Sequence, residues 1–180
     1  MKKSVKTYLK ITSFILFSLV CIWIYFFKCN IGKDLFFLYF QRRVHWNPFF
    51  EFVKNDGSVD PGGFFLAFFN ILGFVLYGFL ASSLFSKKQF LKGFICSICF
   101  SLFIELLQYS LAFGGFALGD LIFNSIGGLI GALIFVKVNK KISPLLFNTF
   151  YLIVSIISVG CIITGIYFTI QKWPEYTYFL

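Results

Sequence analysis

The sequence predicts an all-α fold, a polytopic membrane helical bundle with about five transmembrane helices, its amino terminus cytoplasmic and its carboxyl terminus external. Three observations predict it. Of the 180 residues, 59% are hydrophobic and only 13% charged, and mean hydropathy is +0.87. That composition excludes a secreted disulfide scaffold, a disordered chain and a cytosolic enzyme. Five stretches also approach the run of about 20 apolar residues that a helix needs to cross a bilayer. Finally, the basic residues are segregated along the chain in a way that only a membrane topology explains.

The five stretches are 11–27, 64–86, 94–113, 120–136 and 145–170. The first and fourth are short, so flanking Lys28 and Lys137 are expected to snorkel toward the headgroups. No small-x-small cleavage site follows the first stretch at Lys28-Cys29-Asn30, so it is expected to be retained rather than removed as a signal peptide. The second is uncharged from Phe64 to Ser86, the third carries only Glu105, and the fourth opens on Asp120. The fifth is uncharged from Ile142 to Gln171, long enough to tilt. Ahead of it, Ser143-Pro144 reads as an N-cap followed by proline at the first helical position.

Orientation follows from lysine. Lys2, Lys3, Lys6 and Lys10 precede the first stretch, Lys87, Lys88 and Lys92 separate the second from the third, and Lys137, Lys140 and Lys141 separate the fourth from the fifth. No acid accompanies these ten lysines, whereas Asp34, Glu51, Asp56, Asp60 and Glu175 all fall on the other side. The net charge of +9 is therefore a topological signal and not a nucleic-acid footprint. The whole chain, 1–180, reads as one membrane domain with an external interfacial segment, 28–63. That segment carries the aromatic run Phe36–Phe40, then arginines beside Trp46 and Pro48, a composition suited to a helix or re-entrant turn in the headgroup layer. Asn55-Asp56-Gly57-Ser58 reads as an exposed turn within it. Cys96-x-x-Cys99 has redox spacing but lies in a predicted membrane helix, so these thiols read as compact apolar residues.

The chemistry-bearing residues are those that hydrocarbon does not tolerate. Ser101, Glu105 and Gln108 share one face of the third helix at spacings of four and three; Asp120 and Asn124 lie one turn apart on the fourth, and Asn70 lies on the second. At about 1.5 Å per residue, Glu105 sits roughly 12 Å below the external boundary, Asn70 about 9 Å, and Gln108 and Asn124 about 7 Å. Three helices running in different directions thus bring polar groups to one level of the outer leaflet. Asp120, near the surface, doubles as a candidate N-cap of the fourth helix. No basic residue lies in the third or fourth stretch, so Glu105 is expected to be met by Gln108, Asn124 or water, with His45 a further candidate from the external segment. Gly127, Gly128 and Gly131 supply small-xxx-small spacing for close helix packing, and Gly73 and Gly78 on the second helix are expected to help. There is no metal-ligand set, no Ser/His/Asp grouping and no phosphate loop, so no metal, cofactor or catalytic residue is expected.

In combination and order, Asn70-Ile-Leu-Gly-Phe74…Gly78, Ser101-Leu-Phe-Ile-Glu105-Leu-Leu-Gln108 and Asp120-Leu-Ile-Phe-Asn124-Ser-Ile-Gly127 resemble the VanZ-like family of bacterial membrane proteins, most strongly over 64–136. Asn47-Pro48-Phe49 echoes a further family element. Where the family usually has proline, arginine and often an acid, this chain has Leu76, Gly114 and Ala117, which marks it as a divergent member. The founding member is associated with low-level teicoplanin resistance. The resemblance therefore implies a multi-pass protein of the cell membrane, in the bacterial envelope, with no nucleic-acid partner. Its polar cluster of Asn70, Glu105, Gln108, Asp120 and Asn124 would bind a lipid-linked cell-wall precursor or a glycopeptide-like ligand. An intramembrane enzyme acting on a lipid-linked substrate and a non-catalytic packing or transport subunit are the alternatives.

Overall fold

The computed structural model describes residues 3–27, 42–54, 56–111 and 115–176. Five α-helices lie among these residues: α1 (Lys3–Phe27), α2 (Pro61–Ser83), α3 (Gln89–Ser110), α4 (Leu118–Val138) and α5 (Pro144–Tyr176). All five are long and apolar enough to cross a membrane. Among the described residues the fold is all-α apart from two paired two-residue strands, β1 (Val44–His45) and β2 (Phe116–Ala117).

Helix ends depart from the apolar stretches for identifiable reasons. An apolar run records where lipid can solvate side chains, whereas a helix continues for as long as its backbone bonds close. So α1 begins at Lys3, among the lysines, rather than at position 11. Helix α2 begins at Pro61 rather than 64 because Asp60 caps it: Asp60 Oδ1 accepts the Gly62 amide at 2.9 Å, and proline occupies the first position. The same device starts α5, where Ser143 Oγ accepts the Leu146 amide at 3.4 Å ahead of Pro144.

The chain divides into two compact units. Met1–Ile24 and Ser143–Leu180, carrying α1 and α5, form one; Tyr25–Ile142, carrying α2, α3 and α4, forms the other. In the α1–α5 unit, Ser13 Oγ lies 2.7 Å from the Tyr151 carbonyl and 2.9 Å from Ser155 Oγ, and the Trp23 ring lies against Gly165. In the α2–α4 unit, α4 packs most extensively on α2. Here glycine decides the approach. A side chain at Gly78 would strike the Gly128 carbonyl, and one at Gly131 would strike the Val75 carbonyl. Phe64, Phe65, Phe68 and Phe69 stand exposed on the outer face of α2, as expected of side chains solvated by lipid.

The described part of the external segment is a strap across one end of this unit. Strand β1 pairs in parallel with β2, Val44 opposite Phe116 and His45 opposite Ala117, and the Phe116 amide donates to the Arg43 carbonyl at 2.9 Å. Asn47 Oδ1 accepts the Phe49 amide at 3.0 Å, turning the chain at Pro48 so that the Pro48 carbonyl rests on Gly119. A 3₁₀ turn, Phe50–Phe52, follows. The Phe52 ring stacks on Phe64 of α2 at 4.3 Å and on Phe123 of α4 at 5.7 Å. A tight turn closes the strap, with Gly57 at φ +81°, Lys54 bonded to the Ser58 carbonyl, and Val53 bridged to Val59. The aromatic run Phe36–Phe40 lies outside the described residues.

Candidate functional site

The polar residues singled out on α2, α3 and α4, Asn70, Ser101, Glu105, Gln108, Asp120 and Asn124, turn inward. Relative exposure is 8% for Asn70, 2% for Glu105, 1% for Gln108, 8% for Asp120, and nil for Ser101 and Asn124. A mostly apolar helix inserted in lipid hides its polar side chains against its neighbours. The i, i+4 spacing that places Ser101 with Glu105, and Asp120 with Asn124, makes each pair a single inward stripe.

The stripes meet at two levels. Deeper, Asn124 Nδ2 donates to Ser101 Oγ at 2.9 Å, joining α4 to α3. Nearer the strap, Asn70 Nδ2 donates to Asp120 Oδ1 at 2.7 Å, joining α2 to α4. At that end of α3, Glu105 Oε2 accepts the backbone amide of Ala117 at 2.8 Å. Gln108 lies one further turn along the buried face of α3.

These contacts revise one point of the sequence reading and add another. Asp120 is not the N-cap of α4: that position belongs to Ala117, whose side chain caps nothing, and Asp120 lies three residues further in. In a capping box, the acid three residues inside the helix reaches back to the N-cap amide. Here Asp120 is engaged by Asn70, and Glu105 of another helix takes the Ala117 amide in its place. Glu105 thus supplies from α3 the acceptor that α4 lacks locally. The carboxylates of Glu105 and Asp120 both sit by the amino-terminal turn of α4, where the helix dipole favours negative charge. The addition concerns Glu105, which bonds to backbone at the Ala117 amide.

The Ala117 amide had no signal in the sequence, because every residue but proline carries one. Nor did the strap's approach. The pairing of β1 with β2 sets His45 opposite Ala117, the residue that Glu105 holds, while the His45 ring stacks on Phe50 at 3.8 Å. Arg42 Nη2 reaches the Ser110 carbonyl at the end of α3, at 3.4 Å. Gly114, where the resemblance expects arginine, lies outside the described residues.

Gly127 abuts the Ile71 carbonyl, and Gly128 abuts Ser97. These contacts bring α4 close enough to α2 and α3 for side chains as short as Asn and Ser to bond across them. Asn124 Oδ1 and Ser82 Oγ are buried with no hydrogen-bond partner among the described residues. Cys21, Cys96, Cys99 and Cys161 are free thiols. Among the described residues no group of three or more His, Cys, Asp or Glu is placed to hold a metal ion.

The sequence pattern of the VanZ/LLP1 family matches residues 14–148. Protein VanZ of Enterococcus faecium is 27% identical to the chain over 128 residues, covering 71% of this chain and 74% of that protein. No solved structure matches it.

Proposed function

The chain belongs to the VanZ/LLP1 family, and from that premise we propose that it acts in the bacterial cell membrane as a non-catalytic envelope protein that contributes to glycopeptide resistance of the teicoplanin type. In this reading its buried polar cluster binds an envelope lipid or a glycopeptide-like ligand from the external side. Glu105, Gln108, Asp120 and Asn124 line the site, and Asn70 supports it. The observation that carries the reading is the Asn124 amide. It is wholly buried, one turn from Asp120 and bonded to Ser101, yet its Oδ1 has no partner among the described residues. Whichever end of the amide faces Ser101, the other is left over. A buried polar atom of this kind is ordinarily met by water or a ligand.

The test compares teicoplanin susceptibility in a deletion strain complemented with wild-type protein and with a well-expressed Glu105→Gln variant. The expected result is that deletion sensitises cells, wild type restores resistance and Glu105→Gln does not. Deletion without effect removes the resistance role; full complementation by Glu105→Gln removes the carboxylate's part in it.

Two observations favour the packing alternative: Glu105 acts as a cap for α4, and Asn70 and Asp120 bond each other. If the cluster only holds helices together, Glu105→Gln lowers stability and activity in proportion. If it binds a ligand, activity falls while the folded fraction stays near wild type.

A further inference from the structure

The end of the α2–α4 unit remote from Glu105 carries a surface that the polar cluster does not explain. The α2–α3 turn and the first turn of α3 present Lys87, Lys88 and Lys92; the end of α4 and the turn after it present Lys137, Lys140 and Lys141. All six are exposed. Positive-inside topology requires an excess of lysine on this side but does not require the two turns to meet. They do meet. Asn139 Nδ2 donates to Gln89 Oε1 at 3.5 Å, tying one turn to the other, and Gln89 Nε2 donates to the Phe85 carbonyl at 2.8 Å. The Lys92 ammonium sits over the Phe85 ring, 5.3 Å from its centroid.

No acid offsets this charge. Between Pro61 and Pro174 the only carboxylates are Glu105 and Asp120, and both are buried toward the strap. Lys92 stands 13 residues from Glu105 along α3, about 20 Å at helical rise, beyond the Debye length of about 8 Å in physiological salt. Two lysine-bearing turns held side by side without a counter-charge repel each other, and the tie between Gln89 and Asn139 keeps them there. At the ends of membrane helices, lysine stems run along apolar surface and deliver their ammonium groups to the headgroup layer.

We propose that these six lysines form a docking surface for anionic phospholipid headgroups in the leaflet that the lysine bias assigns to the cytoplasm. Charge complementarity selects the occupant, because a zwitterionic headgroup offers no net charge to balance the cluster, whereas an anionic one offers it at the depth where lysine ends. This inference does not depend on what the polar cluster binds.

The experiment places the full chain in nanodiscs of phosphatidylcholine with and without phosphatidylglycerol and counts lipid retained on release by native mass spectrometry. Expected are selective retention of phosphatidylglycerol by the wild type and a loss of affinity of about fivefold for each lysine removed. The paired variants K87Q/K88Q and K140Q/K141Q leave the other turn and the amino-terminal lysines to maintain orientation, which a carboxyl-terminal reporter verifies. K54Q, on the strap, is expected to retain lipid as wild type does. Equal retention of phosphatidylcholine, undiminished phosphatidylglycerol retention in both correctly oriented pairs, or displacement by equimolar glycerol phosphate would each overturn the proposal.

Discussion

In the α1–α5 unit, Ser13 meets Ser155 and the Tyr151 carbonyl, and Ser155 donates to the carbonyl one turn back on its own helix. These are neutral hydroxyls, and each also has an acceptor one turn back on its own helix, the Leu9 carbonyl for Ser13 and the Tyr151 carbonyl for Ser155. In the α2–α4 unit the buried contacts are of another kind. Asn70 bonds Asp120, Asn124 bonds Ser101 and Glu105 takes the Ala117 amide, so amides and two carboxylates lie among them. Hydroxyls can fold back on their own helix; carboxylates and amides inside lipid cannot be satisfied that way and need a neighbour brought within reach. The glycines of α4 bring it. The contrast shows where a small membrane protein concentrates its sequence constraints: in the unit where backbones touch.

The contrast breaks most severely if the close approach is lost. Gly131→Leu would drive a side chain into the Val75 carbonyl, and we expect a loss of about 3 kcal/mol or more, measured as unfolding in micelles against denaturing detergent. Leucine at Gly160, which faces open space in α5, is expected to cost far less. Next comes Glu105→Ala, which strands the Ala117 amide and opens a void: about 2–4 kcal/mol is expected. Glu105→Gln keeps an acceptor and should cost about 1 kcal/mol. An equal cost for the two variants would show that the Ala117 bond contributes nothing. Asn70→Leu leaves Asp120 without its amide donor and is expected to cost about 1–3 kcal/mol. Ser13→Ala, in the other unit, should cost only about 0.6 kcal/mol; a loss as large as that of Asn70→Leu would erase the distinction between the units.

The smallest effect lies outside both helical interiors, in the strap. The Ser58 hydroxyl and then its amide hold the Asp56 carboxyl below the ordinary carboxylate range. A carboxylate depressed in the folded state stabilises above its unfolded pKa and loses that contribution as pH falls through the folded value. The protection factor of the Ser58 amide should therefore hold from neutral pH down to about 4 and fall below it. A constant protection factor through that range would show the turn to be indifferent to Asp56.

Much of this was legible in the chain. Five apolar stretches, their lysine flanks, and the Ser143-Pro144 start of α5 follow from solvation and capping, which act locally. Asp60-Pro61 carries the same signal as Ser143-Pro144 and marks the start of α2 as clearly, although hydropathy alone begins that helix three residues late. The inward side of α3 was legible too, because Ser101, Glu105 and Gln108 fall at helical spacing. The partners were not. Nothing in the local sequence distinguishes Asp120 as a cap from Asp120 as the acceptor of Asn70; both use the same carboxylate, and the outcome depends on where α2 lies.

What the sequence by itself determined is which residues lipid would reject: a handful of amides, hydroxyls and two carboxylates in helices otherwise soluble in hydrocarbon. Periodicity then decided which side of each helix they occupy. Only the tertiary structure decided the pairings, Glu105 with the Ala117 amide and Asn70 with Asp120, and the strap laid over that end by β1 and β2. The physical reason is that rejection from lipid is a property of one side chain and its depth, whereas a hydrogen bond between helices is a property of two backbones and the distance that their glycines allow.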